Sequence, residues 1–253
     1  MATRAARHFT RCFRVYPRIF GYNQFDALKG FHVNPLVIET YARLDGALAF
    51  LETMNDGIPA VEEKERRYLE QLAEKSGWEY GEYALESGIL DEKFHTWIPT
   101  FAAYAATILL YSIVEVQLFA FADQIGKRQG SRLGVKDMAG RGVQQSAIYL
   151  DRVLSIDVKT DPAWSRLNDL QSLRNIIVHR GGKRGESDEQ RKTVDELVRR
   201  YPQSLELRKA DGFHEQIWMS MNLCRDFAQN IDAFFDRIFV ASGLPNRRLR
   251  PDR

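Results

Sequence analysis

Three side chains with complementary chemistry lie close together near the end of one predicted helix: Arg174, Asn175 and His179. A histidine can remove or donate a proton near neutral pH. An arginine stays charged and binds a phosphate through forked hydrogen bonds, while an asparagine amide can orient either partner. Together, these residue types suit acid–base chemistry at a phosphate group.

The signatures of other common chemistries are missing. The sequence contains no G-x-S-x-G, H-E-x-x-H, C-x-x-C, Walker loop or G-x-G-x-x-G. Cys12 and Cys224 form no disulfide framework, which favours a reducing, cytoplasmic location. We expect no cofactor and no metal site, because none of the histidines shows metal-ligand spacing. These histidines are His8, His32, His95, His179 and His214.

The helix that carries the three side chains is predicted from Asp161 to Gly182. Asp161 suits the N-cap and Pro162 the first helical position, since the missing N–H of proline would be unpaired there. Gly181 and Gly182 favour a left-handed helix end. The segment therefore reads as one helix with its polar residues close to the C-terminal end.

A projection of this helix places Arg174 near the middle of an apolar face. A charge there is costly unless it is paired or open to a ligand. Two interpretations stay open: an ion pair between Arg174 and Glu115 of the preceding long helix, or a cleft lined by Arg174. The apolar face contains Leu167, Leu170, Leu173, Ile177 and Val178, and a polar strip beside it contains Asn168, Ser172, Asn175 and His179.

The remaining pattern predicts an all-α helical bundle around a long buried helix near Ile98 to Ile125. Its part from 101 to 122 is long enough for a membrane span, but Glu115 and Gln117 argue against one. Other helices are predicted at 34–55, 60–75, 79–90, 144–156, 189–200 and 214–240. Residues 204–209 could form a strand of a short β-hairpin after the motif helix.

Four segments are expected along the chain, whose net charge of +2 is nearly neutral, so that a basic surface must be local. Residues 1–33 form a basic arm and 34–95 a helical extension. Residues 96–241 form the main helical domain, and 242–253 form a basic tail.

The pattern Arg174-Asn175-x-x-x-His179 followed by glycines resembles the signature of the HEPN superfamily. The long apolar helix with LLYSIVE and the segment AIYLDRVLSID before the motif helix add to the resemblance, which covers roughly 97 to 239. It implies a HEPN-type bundle that acts as a homodimeric, metal-independent RNA endonuclease with a defence or toxin role, such as phage defence. No tyrosine follows His179, which puts the nucleotidyltransferase partner of one HEPN branch in doubt.

In such a nuclease, the ribose 2′-OH attacks the adjacent phosphorus across a dimer cleft. His179 is the expected base or acid, Arg174 the phosphate clamp and Asn175 the orienting residue. The flanking cations Arg180, Lys183 and Arg184 are expected to hold the RNA backbone, with Glu115 and Ser172 in support. The alternative is a non-catalytic HEPN-like module that binds RNA, a nucleotide or a protein. The sequence leaves open whether a regulator or trigger protein also acts on this chain.

Overall fold

The computed structural model describes residues 34–209 and 214–244. The predicted arm at 1–33 lies outside the described residues, as does the tail from 245 onward. The all-α prediction is confirmed: helices pack around one core, and a single small hairpin is appended to them in the described part. In chain order the helices are α1 (Pro35–Ser76), α2 (Tyr80–Glu92), α3 (Ile98–Arg128), α4 (Gly142–Leu154), α5 (Trp164–Arg180), α6 (Asp188–Arg200) and α7 (Met221–Ala241).

Helix α1 is longer than predicted. It begins as expected, because Asn34 Oδ1 accepts a hydrogen bond from Leu36 N at 2.9 Å. The predicted stop near Gly57 is wrong, since the helix continues through Pro59 to Ser76. An interior glycine costs about 1 kcal/mol and an interior proline such as Pro59 about 3 kcal/mol relative to alanine, so the local sequence disfavours this continuation. Long-range packing of Leu51 and Ile58 against the core opposes that local preference.

Helix α3 is the central element of the bundle. A π-helical turn, Lys93–Trp97, joins it to α2, so that 80–128 is continuous. This stretch has the length and apolar composition that a membrane crossing requires, and 56% of its apolar window is buried inside the bundle. The expectation of a helix buried on all sides is therefore met only in part: one line of apolar side chains stays exposed. It contains Phe101, Leu109 and Val116.

The motif helix α5 begins at Trp164, slightly later than predicted. Pro162 lies in a turn before the helix, where Asp161 Oδ1 accepts a hydrogen bond from Ala163 N at 2.8 Å. The same carboxylate pairs with Arg237 of α7 at 2.7 Å. Asp161 thus both caps the turn and anchors α5 to the last helix.

A two-stranded antiparallel hairpin follows α6, with β1 at Leu205–Lys209 and β2 at Glu215–Met219. The pairing sets Leu207 opposite Ile217. The prediction of one helix from His214 is therefore wrong, because α7 begins only at Met221. In this short stretch Ile217 and Met219 are buried and Trp218 is not. This alternation fits a strand once β1 supplies a partner.

The core joins α1, α3, α5 and α7. Four phenylalanines of α7 fill its centre: Phe227, Phe234, Phe235 and Phe239. The first half of α1, including Leu44 and Leu51, is buried in the same cluster. The first half of α1 thus shares one core with the helices that follow residue 96.

Candidate functional site

The three chemically competent side chains lie at the solvent-facing side of α5. Asn175 and His179 are exposed, one helical turn apart, and Arg174 is half-buried beside them. Arg174 Nη1 donates a hydrogen bond to Asn175 Oδ1 at 2.9 Å. The guanidinium also lies 5.5 Å from the ring centroid of Tyr111 on α3, within cation–π range. The amide and the ring together orient the arginine.

The environment of Arg174 differs from the predicted apolar face. Val178 is 45% exposed, and Ile176 is buried in its place. The buried face of α5 is thus rotated toward Ile176, and Arg174 lies at the edge of that face instead of its middle. The guanidinium can stay charged there without a buried counter-ion, because one side of it remains open.

No ion pair joins Arg174 to Glu115 among the residues that the structure describes. The Glu115 carboxylate lies instead beside Gly142, where an added Cβ would come within 2.5 Å of Oε1. Gly142 begins α4, and a negative charge at a helix N-terminus is favourable. Glu115 therefore supports the packing of α4 next to the motif helix.

A cleft of about 450 Å³ lies beside the motif; we name it the motif cleft. It is lined by Ser172, Asn175, Ile176, His179, Arg180, Gln190 and Thr193. The Ser172 hydroxyl donates to Asn168 O at 3.0 Å, which leaves Ser172 as part of the wall. The His179 imidazole has no hydrogen-bond partner within the described ranges. The cleft thus brings the His179 imidazole, the Asn175 amide and the Arg180 guanidinium to one open space, whereas Arg174 is not among its lining residues.

Two glycines fix the end of α5 close to the central helix and the hairpin. Gly181 takes φ +61°, and Gly182 takes φ +85°. An added Cβ at Gly182 would lie 2.0 Å from the Tyr104 hydroxyl. That hydroxyl donates to Ile217 O, and Ile217 N donates to Gly182 O at 2.9 Å. The position of His179 thus depends on Tyr104 of α3 and on β2.

The tether at Tyr104 predicts a loss of stability at alkaline pH. Burial raises the pKa of Tyr104 to about 12. Below about pH 10 the phenol of Tyr104 is neutral in both the folded and the unfolded chain. Between pH 10 and 12 the phenol loses its proton only in the unfolded chain, so the free energy of unfolding falls by about 2 kcal/mol. Urea unfolding across this range should show a smaller fall for Tyr104→Phe than for wild type. Equal slopes would contradict the assignment.

The three flanking cations have different environments. Arg180 donates through Nη1 to Arg184 O at 2.8 Å, and burial lowers its pKa. Lys183 is exposed. Arg184 pairs with Asp195 and with Glu215, both at 2.5 Å. These two carboxylates more than balance its single charge. Arg184 therefore connects α6 to β2, and Arg180 and Lys183 are the better candidates for binding an anion.

One group in the described ranges has an arrangement that could hold a metal ion: Glu62, Asp91 and His95. The sequence did not suggest it, because these residues come from α1, α2 and the π-helical turn. Arg66 pairs with both carboxylates, so a cation already neutralises the group. None of these elements carries a motif residue.

The fold and the site together define the class of this protein: it is an all-α bundle with an open polar strip at the end of one helix. Comparison of the chain with family models, curated proteins and solved structures found no match. The chemistry of the site must therefore be argued from its own residues.

Proposed function

We propose that this chain is a metal-independent RNA endonuclease of HEPN type that acts as a homodimer. One observation carries the proposal: Asn175 holds the Arg174 guanidinium through a hydrogen bond and lines one cleft together with the His179 imidazole. The proposal also includes a cytoplasmic location without a membrane anchor. It further includes a defence or toxin role, which rests on the resemblance alone.

The proposed reaction uses the substrate's own nucleophile. The His179 imidazole takes the proton from the ribose 2′-OH, and the oxygen attacks the adjacent phosphorus. Arg174 balances the charge of the phosphorane, and Asn175 orients the phosphate. The bond to the 5′-oxygen breaks, and that oxygen takes a proton from a protonated imidazole. The products are a 2′,3′-cyclic phosphate and a 5′-hydroxyl.

A single chain supplies only one imidazole, whereas the reaction needs one group as base and another as acid. A two-fold dimer would supply the second group, because an isologous interface repeats each residue near its axis. We place this contact on the outer stripe of α3, which no described element covers. The stripe contains Phe101, Ala105, Leu109 and Val116. Tyr111, against which Arg174 packs, lies on the buried side of the same helix.

The dimer contact can be tested with charges on the outer stripe. Wild type should have twice the 29.2 kDa mass of one chain in light scattering. Leu109→Glu with Val116→Glu should give monomers and reduce cleavage at least about 100-fold, since the second imidazole is lost. Ile89→Glu, an equally exposed site on α2, is the control. A monomer that cleaves at the wild-type rate would contradict this interface.

The proposed activity is tested with end-labelled tRNA and total RNA in EDTA, with an all-deoxy oligonucleotide as comparison. We expect cleavage of RNA only, because the deoxy strand lacks the attacking hydroxyl. Loss of cleavage on chelation would overturn the metal-independent mechanism.

The second candidate is a non-catalytic module that binds RNA, a nucleotide or a protein. It is favoured by the His179 imidazole, which lacks a partner in the described ranges to orient the ring. This candidate predicts RNA binding without cleavage by wild type.

A further inference from the structure

A second, larger cleft of about 700 Å³ lies beyond the motif cleft; we name it the basic cleft. Arg180 and Gln190 line both clefts, so the two meet at these residues. The basic cleft extends to the turn end of the hairpin, where Lys209 of β1 contributes to its wall together with Lys183. The open space thus continues from His179 around the end of α5 to β1.

The charges that line the basic cleft do not cancel. Arg184 pairs with two carboxylates, Asp195 and Glu215, and Arg191 pairs with Asp188. These two arginines and three carboxylates carry a net charge of −1, so they add no attraction for an anion. The cleft is also lined by three further cations, Arg180, Lys183 and Lys209, and by one further carboxylate, Glu186. None of these four side chains forms an ion pair among the described residues. The surplus is positive and lies next to the motif cleft.

Gln190 offers a neutral donor where the clefts meet. Its Oε1 accepts hydrogen bonds from Glu186 N at 3.1 Å and Ser187 N at 3.4 Å. These contacts assign the orientation of the amide, because only the oxygen can accept from backbone N–H groups. The Nε2 group has no partner in the part of the chain that the structure describes, so it can donate to a phosphate oxygen.

We propose that the joined clefts bind the single strand of RNA that flanks the scissile phosphate. The strand passes from Asn175 and His179 over Arg180 and Gln190 to Lys183 and Lys209. Backbone phosphates contact the cations, as in other electrostatic single-strand grooves. A cleft of this volume accommodates a ligand of small-molecule width but not a duplex. This inference rests on the proposed function for the position of the scissile phosphate.

The test measures binding of a short fluorescent oligo-uridine to the full chain carrying His179→Ala, so that no cleavage intervenes. Adding Lys183→Ala with Lys209→Ala should weaken binding about tenfold at moderate salt. The slope of log affinity against log salt should fall by about 1.4, since each lost contact to a single strand contributes roughly 0.7. An oligo-uridine paired with oligo-adenosine should bind more weakly than the single strand.

A second variant changes the place where the two clefts meet without disturbing the fold. Gln190→Glu keeps an acceptor for the Glu186 and Ser187 amides, which is the usual form of a capping box. It also places a negative charge where the two clefts meet, so binding should weaken about tenfold. Gln203→Glu makes the same chemical change at an exposed position outside both clefts and should bind like the parent protein.

Weaker binding in both cleft variants, with Gln203→Glu unchanged, would support the proposal. Three results would each overturn the proposal: cleft variants that bind RNA like the parent protein, a parent protein that binds no RNA, or equal binding of the duplex and the single strand. Wild-type cleavage is assayed in parallel. If wild type cuts RNA and the cleft variants cut it at the same rate at low RNA concentration, the proposed binding path is wrong but the proposed nuclease stands. If the cleft binds RNA that wild type never cuts, the proposed nuclease fails and the binding path stands.

Discussion

Replacing His179 by alanine is expected to lower the rate of RNA cleavage about 10²- to 10⁴-fold, the range for loss of a general acid or base. The imidazole is exposed and lines the motif cleft. Among the described residues it makes no hydrogen bond, so its removal should leave the free energy of unfolding within about 0.5 kcal/mol of wild type. Single-turnover cleavage and urea unfolding of the same preparation separate the two effects.

The matched control for this variant is Val178→Ala, which truncates an exposed neighbour on the same helix. It should cleave RNA at nearly the wild-type rate. Arg174→Lys adds a second check, because lysine keeps the charge but loses the fork and the stack on Tyr111. We expect it to retain only a small part of the activity. Full cleavage by His179→Ala would remove the imidazole from the mechanism.

Substituting Gly182 by alanine is expected to destabilise the fold by about 3 kcal/mol and to reduce cleavage. The φ of +85° strains any residue with a Cβ, and that atom would lie 2.0 Å from the Tyr104 hydroxyl. Since the hydroxyl hydrogen-bonds to Ile217, relief of the clash must move either α3 or β2 relative to the end of α5. Urea unfolding measures the stability, and single-turnover cleavage measures the effect on the site.

Gly181→Ala provides the control at the adjacent position. Gly181 also has a positive φ, +61°, but an added Cβ would meet nothing within 4 Å. Its cost should therefore be limited to the left-handed strain, about 1 kcal/mol. Equal destabilisation by the two substitutions would show that the close approach to Tyr104 contributes nothing.

The part of the fold that the sequence predicts rests on strong local signals. The apolar length of α3 and the glycines after His179 each specify an element by themselves. The alternating residues from 204 to 209 indicated the first strand of the hairpin. For its second strand the sequence predicts a helix, because Ile217, Met221 and Cys224 also recur at helical spacing. Only the pairing with β1 decides between the two patterns.

The candidate site was predictable in its residue types but not in its surroundings. Arg174, Asn175 and His179 follow from one helix. Ion pairs such as Arg184 with Asp195 and Glu215 join three different elements, and no local pattern indicates them. Long-range packing likewise decides which face of a helix stays open, as the exposed outer stripe of α3 shows.

The most direct test of the nuclease is the chemistry of the 3′ end that wild type leaves on RNA in EDTA. Attack by the 2′-OH predicts a 2′,3′-cyclic phosphate, or a 3′-phosphate after its hydrolysis, and neither product in the His179→Ala protein. A 3′-hydroxyl end, or products that require a divalent metal, would contradict the mechanism. No cleavage of any RNA by the wild-type protein would favour the binding module instead.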